Sequence, residues 1–212
     1  MKIMRKLIML ALLGFSLTAC ANETAADDFA AAARTFTPVI IESALSSADR
    51  QLSLSGYGST GALNDEQLTI IDMLNYAVQD EYAAYAEYAG IIRNYDVKAP
   101  YDNIISAEAA HLDALRVLTL TYGITFPEDP SADHVVIPES LLMAAQTGIT
   151  AEINNIAMYD RFLNYELPED IQRVFEALRD ASVNHLAAFE RQVAKLTQTE
   201  RRLSSILHEL SA

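Results

Sequence analysis

From residue 64 onward the chain carries four long runs in which apolar residues recur every three or four positions, the period of a helix with one buried face. In the first, Leu74, Ala77, Val78, Glu81, Ala84, Tyr85 and Tyr88 form one stripe. Asn64 is placed as its N-cap, Asp65 and Glu66 suit the positive helix end, and Gln67 stands at the N3 place of a capping box, so a helix is expected from 64 to about 95. The second run opens at Pro100, carries Ile104, Ile105, Leu112, Leu115 and Leu118, and stops at Gly123. The third opens at Pro138 and reaches about 165, with Ala145, Gly148, Glu152, Asn155, Tyr159 and Leu163 in its stripe. Gly148 lowers helix propensity there by about 1 kcal/mol against Ala and fits a close helix approach. The fourth opens at Pro168 and runs through Ile171, Phe175, Leu178, Ser182, His185, Phe189 and Leu196. Residues 198–212 are polar but still helix-prone, a trailing extension.

The connections limit how these helices can be arranged. Residues 96–99 and 164–167 are short links, which make antiparallel neighbours. Residues 123–137 are polar and contain proline; about fifteen extended residues reach up to roughly 50 Å, against about 30 Å for a twenty-residue helix. Such a segment can cross from one end of a bundle to the other. The expected fold is all-α, a four-helix bundle of two antiparallel hairpins with one long crossover, over residues 63–197.

Composition agrees with this. Only 7 Gly and 6 Pro occur in 212 residues, with no Trp and 51% hydrophobic residues, which disfavours a sandwich or barrel. The formal charge of −14 and the lack of basic patches argue against nucleic acid or an anionic membrane surface as a partner. The single cysteine excludes an intramolecular disulfide.

Residues 1–19 read as a targeting segment: Lys2, Arg5 and Lys6 precede a short apolar run, too short to span a membrane comfortably. It ends in Leu17-Thr18-Ala19-Cys20, which resembles the lipobox of bacterial lipoproteins. That resemblance implies cleavage before Cys20, lipidation of its thiol and export to the cell envelope. With Ala21 next, it implies the outer membrane, facing the periplasm, in a Gram-negative cell. Residues 20–62 are Ala-, Ser- and Gly-rich and are expected to be a mostly flexible tether.

Each stripe is interrupted near its middle by a side chain able to bind metal: Glu81, then Glu108 with His111, then Glu152, then His185. Glu108 and His111 are three residues apart, so both can reach one ion from one helix face. An unpaired carboxylate on a buried face is costly, so something should neutralise it. Di-metal carboxylate bundles use a Glu from each of two helices and a Glu-x-x-His from each of the other two. Helices one to three fit; in the fourth, Ser182 stands where the second Glu would be. Three carboxylates and two imidazoles suit iron or manganese, mono- or dinuclear, with zinc as an adventitious occupant. Tyr85, Tyr88 and Tyr159, at helical spacing from the glutamates, are expected to hydrogen-bond the carboxylates, with Ser182 beside them.

Residues 63–193 resemble the bacterial ferritin-like family catalogued as domain of unknown function 2202, within the rubrerythrin and ferritin-like superfamily. The resemblance is carried by Asp80-Glu81 with Tyr88, by the block from Asn103 through Glu108-Ala109-Ala110-His111 to Ala114, by Gly148 four before Glu152, and by Ser182-Val183-Asn184-His185-Leu186-Ala187-Ala188-Phe189. It implies a rubrerythrin-like bundle with a metal site, in which helix four keeps Asn-His without an upstream Glu. The chain departs by a shorter crossover and by lacking an acidic run before Glu81.

Three functions are compatible with these residues. One is an iron-binding protein with ferroxidase or peroxide-handling activity, a non-haem di-metal oxidoreductase served by an external reductant, since no rubredoxin-like cysteine cluster is present. The second is metal storage or delivery without turnover. The third is a structural or interaction lipoprotein with a metal-free polar core. A homodimer is compatible with all three.

Overall fold

Five helices and no strand make up the described residues, 56–129, 131 and 135–211, of a computed structural model: α1 (Gly58–Asn64), α2 (Ile70–Tyr95), α3 (Tyr101–Thr121), α4 (Leu141–Phe162) and α5 (Glu169–Leu210). The all-α expectation holds. The targeting segment, Cys20 and the tether up to residue 55 lie outside the described residues.

Local chemistry places the helix ends. Thr69, not Asn64, caps α2: Thr69 Oγ1 accepts from the Asp72 amide and the Asp72 carboxylate accepts from the Thr69 amide, a complete capping box. Asn64 instead ends α1, its side-chain amide donating to the Thr60 carbonyl. α4 opens at Leu141 and not at Pro138: Ser140 caps it by accepting from the Met143 amide, and the Pro138 carbonyl accepts from the Tyr95 hydroxyl. Gly123, with φ of +66°, turns the chain after α3 as its C′ place requires. The trailing extension proves to be the same helix as the fourth run: α5 continues without a break for 42 residues. No helix among the described residues is long and apolar enough to cross a membrane.

Cross-helix contacts fix the directions. Tyr88 meets Tyr101 and Glu81 meets His111, so α2 and α3 are antiparallel. Gly148 faces Phe189 and Asn155 faces Ser182, so α4 and α5 are antiparallel. Tyr88 also reaches Glu152 while Tyr159 reaches Glu81, so α2 opposes α4 as well. Helices α3 and α4 therefore run parallel, and the segment between them has to travel the length of the helices. It is pinned on the way by Phe126, stacked under the Arg116 guanidinium at 3.9 Å, and by Ser131, whose hydroxyl donates to the Tyr82 carbonyl.

The core falls into two apolar clusters. One holds Tyr76, Leu115, Leu118, Tyr159, Phe162 and Phe175; the other holds Tyr88, Ile91, Tyr101, Ile104, Ala145 and Phe189. Gly148 serves the second cluster: a Cβ there would lie 2.9 Å from three ring atoms of Phe189. Between the clusters lies a buried polar layer of Glu81, Glu108, His111, Glu152, Asn155, Ser182 and His185.

Residues 56–62 were expected in the tether, yet α1 packs on α2 and α4 with Ser59, Gly61 and Ala62 buried. Its sequence, Gly-Ser-Thr-Gly, is a poor helix former in isolation. The helix is held from outside, by Gln79 and Asp80 at its start and by Arg161 at its end.

Candidate metal centre

Three carboxylates and two imidazoles from four helices meet in the polar layer. α2 brings Glu81, α3 brings Glu108 and His111 one turn apart, α4 brings Glu152 and α5 brings His185, all buried. They form two groups, Glu81–Glu108–His111 and Glu108–Glu152–His185, each with ligand-type atoms within 4.8 Å of one another. Glu108 belongs to both. Its Oε2 lies 3.0 Å from His111 Nδ1, and its Oε1 lies 3.2 Å from His185 Nδ1. Glu81 Oε2 approaches His111 Nδ1 to 2.9 Å, and Glu152 Oε1 approaches His185 Nδ1 to 3.5 Å. The imidazole rings stack at 5.8 Å with 22° between their planes.

Two tyrosines orient the outer carboxylates. The Tyr159 hydroxyl donates to Glu81 Oε1 at 2.8 Å, and the Tyr88 hydroxyl donates to Glu152 Oε1 at 2.9 Å. Each outer glutamate is thus fixed by a tyrosine through Oε1. Burial, together with these carboxylates, raises both phenols well above the usual 10. Tyr85 takes no such part. It is 39% exposed, because a residue four positions after Glu81 lies about 40° further round the helix, whereas Tyr88 lies about 20° to the other side. Ser182 is buried, but its hydroxyl donates to Asn155 rather than to any of the glutamates.

Among the described residues no Lys or Arg pairs with these glutamates, and their positive partners are the two histidines. Packed this closely, the acids and imidazoles shift one another's protons. Burial disfavours charged imidazoles, but Glu81 and Glu108 outweigh it and raise His111 to about 10. Glu108 and Glu152 likewise raise His185 to about 9. Burial pushes Glu81 up to about 8 and raises Glu152. Burial would raise Glu108 too, yet its bond with His111 and the close approach of His185 and Glu81 hold it below the ordinary carboxylate range. Of the three carboxylates, Glu108 is the one whose surroundings favour the anion.

The donor set fits a metal. Carboxylate oxygens and imidazole nitrogens are ligands for iron, manganese or zinc. Buried His185 Nδ1 lies close to two carboxylate oxygens and is aligned for a hydrogen bond with neither, as ligand atoms are when they converge on a common point. Residue spacing alone did not assign a role to half-buried Asp80 or to buried Asn155; Asn155 stands on its apolar stripe, whereas Asp80 lies off the stripe that carries Glu81.

No family model matches the chain, and no curated protein matches it. Among solved structures, a hypothetical protein from Methanococcus jannaschii DSM 2661 is similar with a TM-score of 0.55, over 63% of this chain and 85% of that one, at 23% identity. That likeness shows a common helical fold and carries nothing about activity.

Proposed function

We propose that this chain is a ferritin-like metal-binding protein, anchored to the cell envelope through Cys20, whose polar layer holds iron or manganese. The observation that carries the reading is the pair of ligand triads sharing Glu108. Glu81, Glu108 and His111 would hold one ion and Glu108, Glu152 and His185 a second, with three carboxylate charges against two divalent cations. The up-down-down-up order of α2 to α5 supports the ferritin-like assignment.

Iron bound there would supply redox chemistry of the ferroxidase or peroxide-handling class. The protein's own part is positional. Tyr88 and Tyr159 hold the outer carboxylates by Oε1, the apolar clusters exclude water, and the histidines give up their protons as ions enter. Any electrons for turnover come from an external donor.

Bound metal measured on the purified protein tests the reading, beside Glu108→Ala and His111→Ala. Metal content unchanged in both variants rejects the site. Loading with Fe(II) without air and then admitting air separates redox activity from storage: prompt oxidation marks the former. The metal-free polar core is the second reading, supported by the close histidine–carboxylate contacts within the layer; it requires that the wild-type protein bind no metal.

A further inference from the structure

Two buried side chains, Asn155 and Ser182, and the half-buried Asp80 form one hydrogen-bonded chain beside both triads. Ser182 Oγ donates to Asn155 Oδ1 at 2.6 Å, Asn155 Nδ2 donates to Asp80 Oδ2 at 2.7 Å, and the Ser59 amide of α1 donates to Asp80 Oδ1 at 2.6 Å. Each side chain stands one step from a ligand: Asp80 precedes Glu81, Asn155 follows Glu152 by about a turn, and Ser182 precedes His185 by about a turn. The chain therefore crosses α2, α4 and α5, the helices that carry Glu81, Glu152 and His185.

Among the described residues no ion pair reaches Asp80, so these donors are what stabilise it. Helix α1 closes over the carboxylate. The Gly58 amide donates to Gln79 Oε1 at 2.9 Å; Gly58 has φ of +53°, and a Cβ there would lie 2.7 Å from Asp80 Oδ1. Only glycine meets both conditions. At the other end of α1, the Arg161 guanidinium of α4 donates to the carbonyls of Ala62 and Asp65.

We infer that Asp80, Asn155 and Ser182 are positioning residues that lock the register of the three helices they join, and that α1 is a latch whose docking through Ser59 tightens the metal centre. The inference rests on the metal reading above. Sliding α4 against α2 or α5 would leave buried donors and acceptors unpaired, so the hydrogen bonds penalise any register but the one that gathers the ligands. Linkage works both ways: if docked α1 favours ion binding, bound ions favour docked α1 by the same factor.

A reciprocal exchange tests it, using Co(II) as the probe and the otherwise unaltered chain. Asp80→Asn alone sets two N–H donors face to face, and Asn155→Asp alone sets two carboxylates face to face. Both substitutions together restore every hydrogen bond with the charge unchanged. Each single variant is expected to weaken Co(II) binding roughly tenfold or more, and the double variant to regain wild-type affinity. A pure field effect gives a different pattern, because Asn155→Asp adds negative charge and would tighten binding. That result, or single variants with wild-type affinity, overturns the inference and leaves the metal reading standing. Wild-type protein that binds no Co(II) overturns both.

Two measurements stay decisive if a single variant fails to fold. Ser182→Ala should weaken Co(II) binding where Ser182→Thr, which keeps the hydroxyl, does not; equal affinities overturn the positioning role. In the wild-type protein, Co(II) should slow hydrogen exchange of the Ser59 amide, and an unchanged rate overturns the latch.

Discussion

Glu108 reaches across to His185, with its Oε1 3.2 Å from Nδ1, while its other oxygen stays with His111 on its own helix. One carboxylate thus serves both ligand groups. Glu108→Gln keeps the shape and removes the shared charge, so metal per chain measured by elemental analysis should fall toward zero. Glu152→Gln should cost at most one of two ions. Equal losses in the two variants would contradict the sharing.

The layer's protons set a pH dependence. His111 and His185 are raised from 6.5 to about 10 and about 9, and Glu81 from 4.5 to about 8. In each case the folded state holds its proton more tightly than the unfolded chain. The stability they contribute is full below the unfolded values and is lost as pH rises through the folded ones. In chelator, the melting temperature of the metal-free protein should fall as pH rises, through Glu81 between 4.5 and about 8 and through the histidines between 6.5 and about 10. Metal affinity should move the opposite way, because ions displace those protons; Zn(II) titrations at pH 6.5 and pH 8.5 give the direction.

Tyr88→Phe and Tyr159→Phe each remove the hydroxyl that fixes an outer glutamate. A buried acceptor that loses its donor costs about 1–3 kcal/mol, and metal affinity should drop by roughly 10- to 100-fold. Exposed Tyr85 supplies the control, and Tyr85→Phe should match the wild type in both thermal melts and metal titration.

At Gly148 two opposing effects can be compared. Alanine gains about 1 kcal/mol of helix propensity but adds a methyl at 2.9 Å from a ring locked between Tyr88 and Tyr101. Overpacking of that kind costs about 1–3 kcal/mol, so Gly148→Ala should lower the melting temperature. A rise would mean that the Phe189 ring moves freely.

Much of this centre was legible in the chain because burial and period coincide. Glu81, Glu108, His111, Glu152 and His185 each interrupt an apolar stripe, and a stripe records which side chains face inward. Tyr85 was misplaced because that face is narrower than the spacing rule allows. Asn64 was misread because a residue suited to starting helices can also end one. The helix α1 was invisible for a different reason: its order comes from Asp80, Gln79 and Arg161, far along the chain, and not from its own residues. Periodicity likewise shows that Glu108 points inward, but not that its two oxygens divide between two histidines.

The rings of Tyr88, Tyr101 and Phe189 on one side of the polar layer, and of Tyr159, Phe162 and Phe175 on the other, lie with centroids 5.3–6.0 Å apart. Aromatic packing thus closes on the layer from both sides along the bundle. An ion bound in the layer would then come in sideways, between neighbouring helices, and shed its water there. His185, at 7% exposure, is the least covered of the five candidate ligands, against 1–3% for the others. On the proposed metal reading it marks the doorstep, and an ion's first protein contact would fall on α5, which brings an imidazole and no carboxylate to the layer.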